Sequence, residues 1–305
     1  MTTTLCILPD VEDILKFTSS DSNKCENDSN NKIRENILKN MNHLDDDYLK
    51  DINYGIQWSI LKETFNNSMK IICPNYFQYK IKHKAGRMNN YDYEITFLDE
   101  QLEFVKKVKL EFKYNASTID ETPQFVSPMK PSQYLQSSYE EYYYDNYLLP
   151  LFNKFSLEIP EKINYLKTVH TNKPKCVMEA QLLYYQGCKK SSKYTGSEEA
   201  ILFYETANQF ARESISSFIH LNELNKEKLS DYLLESQKDK IYLLYKNDSF
   251  NIESSSNEDD LKIESYIKTP EKFRYEAITK SQKKIYILLR WKNGNGIAYP
   301  AFQIS

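Results

Sequence analysis

Between positions 90 and 114 the sequence sets an aspartate, a glutamate and a lysine where they could share a cation and a water molecule. The stretch reads as two strands joined by an acidic turn near Asp99 and Glu100, because β-branched and aromatic residues alternate with polar ones at period two. In the second strand Val108, Leu110, Phe112 and Tyr114 fall on one face, and Lys107, Lys109, Glu111 and Lys113 on the other. Asp92, on the first strand, can come opposite them if the two strands pair. Two neighbouring carboxylates suit a hard divalent cation, Mg²⁺ or Mn²⁺, that keeps several waters. A lysine beside that cation can orient or deprotonate an attacking water and offset charge building on a phosphate. Such a set would hydrolyse a phosphodiester. The competing reading of the same pattern is an amphipathic hairpin whose charges simply face water.

Asp92, eighteen intervening residues and then Glu111-Phe112-Lys113 resemble the signature of the PD-(D/E)XK nuclease superfamily, the fold of many restriction and repair nucleases. The run from Val108 to Asn115, followed by Pro123-Gln124-Phe125, is also similar to its restriction-endonuclease-like members. The resemblance implies that Asp92 and Glu111 hold the metal, that the carbonyl of Phe112 adds a ligand and that Lys113 assists the water. It also implies an acid on the helix before the strands, for which Glu63 is the candidate. Gln124 could sit near the site, or cap the following element. Tyr91 stands where the motif has proline. The pattern acid-any-lysine occurs twice, at Glu111 to Lys113 and at Asp260 to Lys262, and the second follows a Ser/Asn/acid run that reads as loop.

The elements that must position these residues are visible as periodicities. Residues 1–30 start apolar and then become polar enough for a mobile arm or loop. Ile33, Ile37, Leu38 and Met41 recur at helical spacing, and a second helix over 54–69 carries Ile56, Ile60, Leu61 and Glu63. A strand over 77–83 leads into the hairpin. A tyrosine-dense run over 134–155 and a wide apolar stripe from Glu198 to Leu221 both read as helices packing into a core, the tyrosines preferring that role to stacking on bases. The tail is β-rich: 240–245 and 250–253 flank Asn247-Asp248, and 284–291 and 297–304 flank Asn293-Gly294-Asn295-Gly296, whose residues accept positive φ.

Composition narrows the classes. The 305 residues allow one large domain or two ordinary ones, and the bias to Tyr, Asn, Lys and Ile suits an AT-rich genome. A net charge of -3 does not mark the whole chain as nucleic-acid binding, but basic residues gather at Lys80, Lys82, Lys84 and Arg87 and again between Lys268 and Lys292. Five cysteines without a Cys-x-x-Cys pair and four scattered histidines offer no zinc framework. With six glycines there is no phosphate-binding loop or dinucleotide fingerprint, and no Gly-x-Ser-x-Gly elbow occurs. No apolar run approaches membrane-spanning length and no signal pattern opens the chain.

The expectation is thus an α/β protein with a mixed central sheet of restriction-endonuclease-like type, a helical insertion and a β-rich C-terminal part. Its segments are a polar N-terminal stretch over 1–30, a helix plus three-strand core over 31–130, a helical region over 131–238 and a β-rich region over 239–305 that packs on or completes the core. The expected function is Mg²⁺- or Mn²⁺-dependent hydrolysis of DNA by an endo- or exonuclease. Lys80, Lys82, Lys84, Arg87, Lys109, Arg290 and Lys292 would contact the nucleic acid. The alternative is a catalytically inactive protein of that fold serving as a DNA-binding, assembly or virion module. A soluble intracellular location (cytoplasm, nucleus, viral factory or virion) is expected, without a membrane partner and without secretion, and a homodimer is left open.

Overall fold

The computed structural model describes residues 8–18, 24–84, 89–122, 130–171, 175–254, 257–293 and 297–305. The chain divides into two compact units, Met1–Thr122 with Gln237–Ser256, and Pro123–Ser236 with Asn257–Ser305.

In the first unit, helices α1 (Lys24–Lys39), α2 (Asp46–Leu49) and α3 (Gly55–Ile72) precede strands β1 (Gln78–His83), β2 (Tyr93–Leu98) and β3 (Phe104–Tyr114). The chain returns as β4 (Lys240–Lys246) and β5 (Ser249–Glu253), completing a five-stranded sheet in the order β1-β2-β3-β4-β5. Its pairings are antiparallel except between β3 and β4, which run parallel. A parallel neighbour requires a crossover, and here the crossover carries most of the second unit's helices.

Alternation decides what each strand buries. Tyr93, Ile95 and Phe97 of β2, Val108, Leu110 and Phe112 of β3, and Leu243 and Tyr245 of β4 lie in one apolar core. The helices complete that core, α1 through Ile37 and Leu38 with Met41 just beyond its end, and α3 through Trp58, Leu61, Phe65, Met69 and Ile72, spaced three or four apart. The opposite face of the sheet is charged over β1 to β3, while on β4 it also carries the buried Tyr242 and Leu244. There the register aligns Lys82 with Glu94, Glu94 with Lys109 and Lys109 with Lys240, and in adjoining positions Lys80 with Thr96, Thr96 with Lys107, and Glu111 with Tyr242.

The second unit holds α4 (Tyr139–Tyr143), a π-helical turn (Tyr144–Leu148), α5 (Leu149–Lys154), α6 (Lys162–Thr168), α7 (Met178–Gly187), α8 (Glu198–Leu221) and most of α9 (Lys226–Gln237). Its sheet is antiparallel in the order β6 (Ile263–Thr269), β7 (Arg274–Thr279), β8 (Lys284–Asn293) and β9 (Ala298–Ile304). The tyrosine run packs inward as expected. Tyr139 and Tyr143 are fully buried, and the Tyr139 hydroxyl accepts from Trp291 Nε1 at 3.0 Å and meets Ser214 Oγ at 2.9 Å.

Two expectations change. The polar stretch over 26–30 is not an arm but the first turns of α1, where Asn30 and Arg34 are buried and Arg34 donates from Nη1 to Asn31 Oδ1 at 2.8 Å and from Nε to the Lys16 carbonyl at 2.6 Å. The guanidinium also lies 3.4 Å over the Tyr114 ring, so this polar helix is held by charge-assisted hydrogen bonds and a cation–π contact. The C-terminal β-rich region does not complete one core either. Only β4 and β5 join the first sheet, around Asn247 and Asp248, both at positive φ, while β6 to β9 make a sheet of their own. Of the second hairpin's expected turn, positions 294–296 lie outside the described residues.

Candidate active site

Asp92, Glu111 and Lys113 all belong to the first unit, and the pairing of β2 with β3 brings them together. Tyr93 is the register partner of Leu110, yet the Asp92 N–H also donates to the Leu110 carbonyl at 3.0 Å. That bond holds Asp92 against β3 one residue before β2 begins. The Asp92 carboxylate accepts the Phe112 N–H at 2.8 Å through Oδ2, which ties it to the middle residue of the Glu-Phe-Lys triplet.

Burial is the largest influence on Asp92 and the Glu111 charge the next. Together, against the stabilising Phe112 N–H, they push its carboxyl up to about 6, with Glu35 adding to the rise and Lys113 opposing it. Glu111 is itself buried. Its Oε1 lies 2.5 Å from Lys113 Nζ, and its Oε2 is ion-paired with Lys240 Nζ. The charged face of β3 is therefore not simply wet: at its centre lies a buried carboxylate between two ammonium groups.

Two participants were not found by sequence reasoning. Lys240 opens β4, and its side chain is only 2 % exposed. Burial pulls its pKa down, while the Glu111 carboxylate acts the other way. Alternation does place Lys240 and Tyr242 on one face of their strand, but nothing local says that this strand lies beside β3. Glu35 of α1 is the second. Burial raises its pKa, Lys113 counteracts, and its Oε2 stands 3.5 Å from His83 Nε2. Tyr242 backs the site, its hydroxyl donating to Gln237 Oε1 at 2.7 Å.

Glu63 is not brought to this cluster. It lies on α3 two residues from both Leu61 and Phe65, which a helix buries, so it faces the opposite way and is exposed. The acid that the helical lead-in does contribute near Asp92 is Glu35. Gln124 and Arg87 lie outside the described residues. Lys80 and Lys82 are exposed on the charged face of β1. Lys84 pairs with Glu94 Oε2 at 3.5 Å, and Lys107 reaches the same oxygen at 3.3 Å. Lys109 Nζ donates to the Lys238 carbonyl at 3.2 Å. Arg290 and Lys292 belong to the second unit, where Arg290 Nη1 donates to Gln303 Oε1 at 2.6 Å.

No family model matches the chain. Nor does any curated protein or any solved structure match it. The site has to be read from its own geometry. Among the described residues no group of three or more His, Cys, Asp and Glu side chains is placed to hold a metal ion, and no helix is long and apolar enough to cross a membrane. What the cluster offers is a pair of carboxylates, the buried Glu111 on β3 and the partly buried Asp92 just before β2, close enough for one charge to be felt by the other. Two neighbouring carboxylates that repel each other are a natural seat for a shared cation.

Proposed function

We propose that this protein is a metal-dependent nuclease hydrolysing DNA phosphodiester bonds, with a first unit of the PD-(D/E)XK, restriction-endonuclease-like kind. The observation that carries the reading is the meeting of Asp92 and Glu111, with eighteen residues between them in sequence, and of Lys113 2.5 Å from Glu111. The order of elements agrees with it: helices, an antiparallel meander of three strands, then a fourth strand parallel to the third.

Asp92 and Glu111 would hold Mg²⁺ or Mn²⁺, and two protein carboxylates suffice for an ion that keeps waters and takes substrate phosphate oxygens for the rest. When bound, the ion would polarise the phosphate and lower the pKa of a coordinated water. The residues of the chain do the remainder. Phe112 N–H fixes the Asp92 carboxylate, Lys113 stands where it can orient the water and offset phosphate charge, and Glu35 increases the negative potential that draws a cation in. Lys80, Lys82 and Lys109 on the same face of the sheet would follow the backbone of the nucleic acid.

A second reading has its own support. Both Glu111 oxygens already have ammonium partners, so the cluster could be a self-neutralised remnant in a protein that binds DNA or assembles with a partner without cutting. The test is cleavage of a labelled duplex and a labelled single strand with Mg²⁺, Mn²⁺ or chelator. The nuclease reading expects metal-dependent cutting that falls at least about 100-fold in Asp92→Asn, Glu111→Gln and Lys113→Ala. Glutamine at 111 is preferred to alanine because alanine would leave the buried Lys240 ammonium without a polar partner. Retained binding without cutting on either substrate supports the second reading.

A further inference from the structure

Lys240 has no place in the acid-any-lysine pattern, yet it makes the most buried charged contact of the site. Its side chain is 2 % exposed and that of Glu111 9 %, against 19 % for Lys113. It lies over the Tyr242 ring, with Nζ 4.7 Å from the ring centre, and the Tyr242 hydroxyl is anchored in turn by Gln237. The parallel register of β3 and β4 pairs Lys109 with Lys240 and Glu111 with Tyr242, so Lys240 reaches Glu111 diagonally across the two strands. Its ammonium group is thereby held between the Glu111 carboxylate and the Tyr242 ring.

Held there, the ammonium does two opposed things. Without a divalent ion its ion pair with Glu111 offsets the repulsion between the Glu111 and Asp92 carboxylates. When a divalent ion is shared by those carboxylates, the same ammonium becomes a like charge a few ångströms from it, poorly screened because the site is buried. We propose that Lys240 is the resident counter-cation of the carboxylate pair, a positioning residue that keeps Asp92 and Glu111 assembled before metal arrives and weakens the binding of a divalent cation to them. The inference rests on the metal-dependent reading of the site. Its consequence is that the ion is held best when it brings an anion with it, as a phosphodiester would provide.

The test is calorimetric titration of Mn²⁺ alone into the full chain at one fixed pH, with the Mn²⁺-induced rise in unfolding temperature as a second readout. Wild type, Lys240→Arg, Lys240→Met, Lys240→Gln and Glu111→Gln are compared. Lys240→Met and Lys240→Gln are expected to bind Mn²⁺ about tenfold more tightly than wild type and to gain more in unfolding temperature, while Lys240→Arg, which keeps the charge, stays within about threefold of wild type. Glu111→Gln is expected to lose the binding, which locates it. Should Lys240→Met fail to fold, Lys240→Gln reads the same loss of charge while keeping hydrogen-bond donors. Equal or weaker Mn²⁺ binding in the neutral variants, with wild type binding at this site, overturns the role of Lys240 and leaves the nuclease reading standing. No Mn²⁺ bound by any of the five proteins overturns both.

Discussion

A carboxyl that titrates near 3.8 in an unfolded chain and at about 6 when folded, as Asp92 does, makes the native state the better proton binder between those values. Stability must then fall as pH rises from about 4 through about 6, and stay lower above, by up to about 3 kcal/mol from this residue. Glu35, also raised by burial, acts in the same direction. Urea unfolding at pH 4.5 and 7 should show wild type losing more stability on that rise than Asp92→Asn, in which the titrating group is gone. An identical loss in both would place the proton elsewhere. Metal has the opposite effect, since only the ionised carboxylate is a ligand: Mg²⁺ should restore stability above pH 6 and do little at pH 4.5. The two carboxylates and the lysine were recognisable by type and spacing. Lys240 was not, because a lysine opening a strand is ordinary until its neighbour is known.

Elements were legible where one face is buried and one is not. The strand over 77–83, the hairpin of β2 and β3 and the helix Glu198–Leu221 follow the sequence periodicity closely, because the apolar residues that define the period are the ones the core takes in. The register shift between Phe97 and Leu98 breaks the period of the β2–β3 pair, and no alternation pattern would show it. The first turns of α1 escaped for the converse reason: they are polar and held through Arg34, while the apolar Ile37 and Leu38 mark only the helix's later part. In the second unit the approach of α7 to α8 depends on one missing side chain. A Cβ on Gly187 would lie 1.9 Å from the Ala200 carbonyl oxygen, so Gly187→Ala must push the helices apart. Chemical denaturation is expected to report a loss of about 2 to 4 kcal/mol, and a loss under 0.5 kcal/mol would mean that the contact yields at little cost.

At the scale of the whole molecule, charge and division matter more than any single contact. The chain carries a net charge of -3, so the proposed nucleic-acid binding would have to come from placement, and the first sheet lines up Lys80, Lys82, Lys107 and Lys109 on the face that bears Glu111. Reversing Lys80 and Lys82 to glutamate should weaken duplex binding and flatten its dependence on salt by about one unit of logarithmic slope per lysine. Unchanged affinity and slope would take that face out of the interface. The two units also predict separable stabilities: Gly187→Ala should leave Mn²⁺ affinity at the Asp92–Glu111 pair within about twofold of wild type, because the substitution and the site lie in different compact units.

The sequence by itself determined which residues face inward along each regular strand and helix, and it placed an acid, an acid and a lysine on one hairpin, since those facts depend on neighbours two to four positions away. The tertiary structure alone decided that β4 pairs with β3 across more than a hundred intervening residues, that Lys240 thereby reaches Glu111, that the carboxylate near Asp92 comes from Glu35 rather than Glu63, and that the C-terminal strands divide between two sheets. The physical reason is the same in each case. Local periodicity records burial, whereas the partner across a parallel pair or on a packed helix is set by how whole elements share a core, and no short window of sequence contains that information.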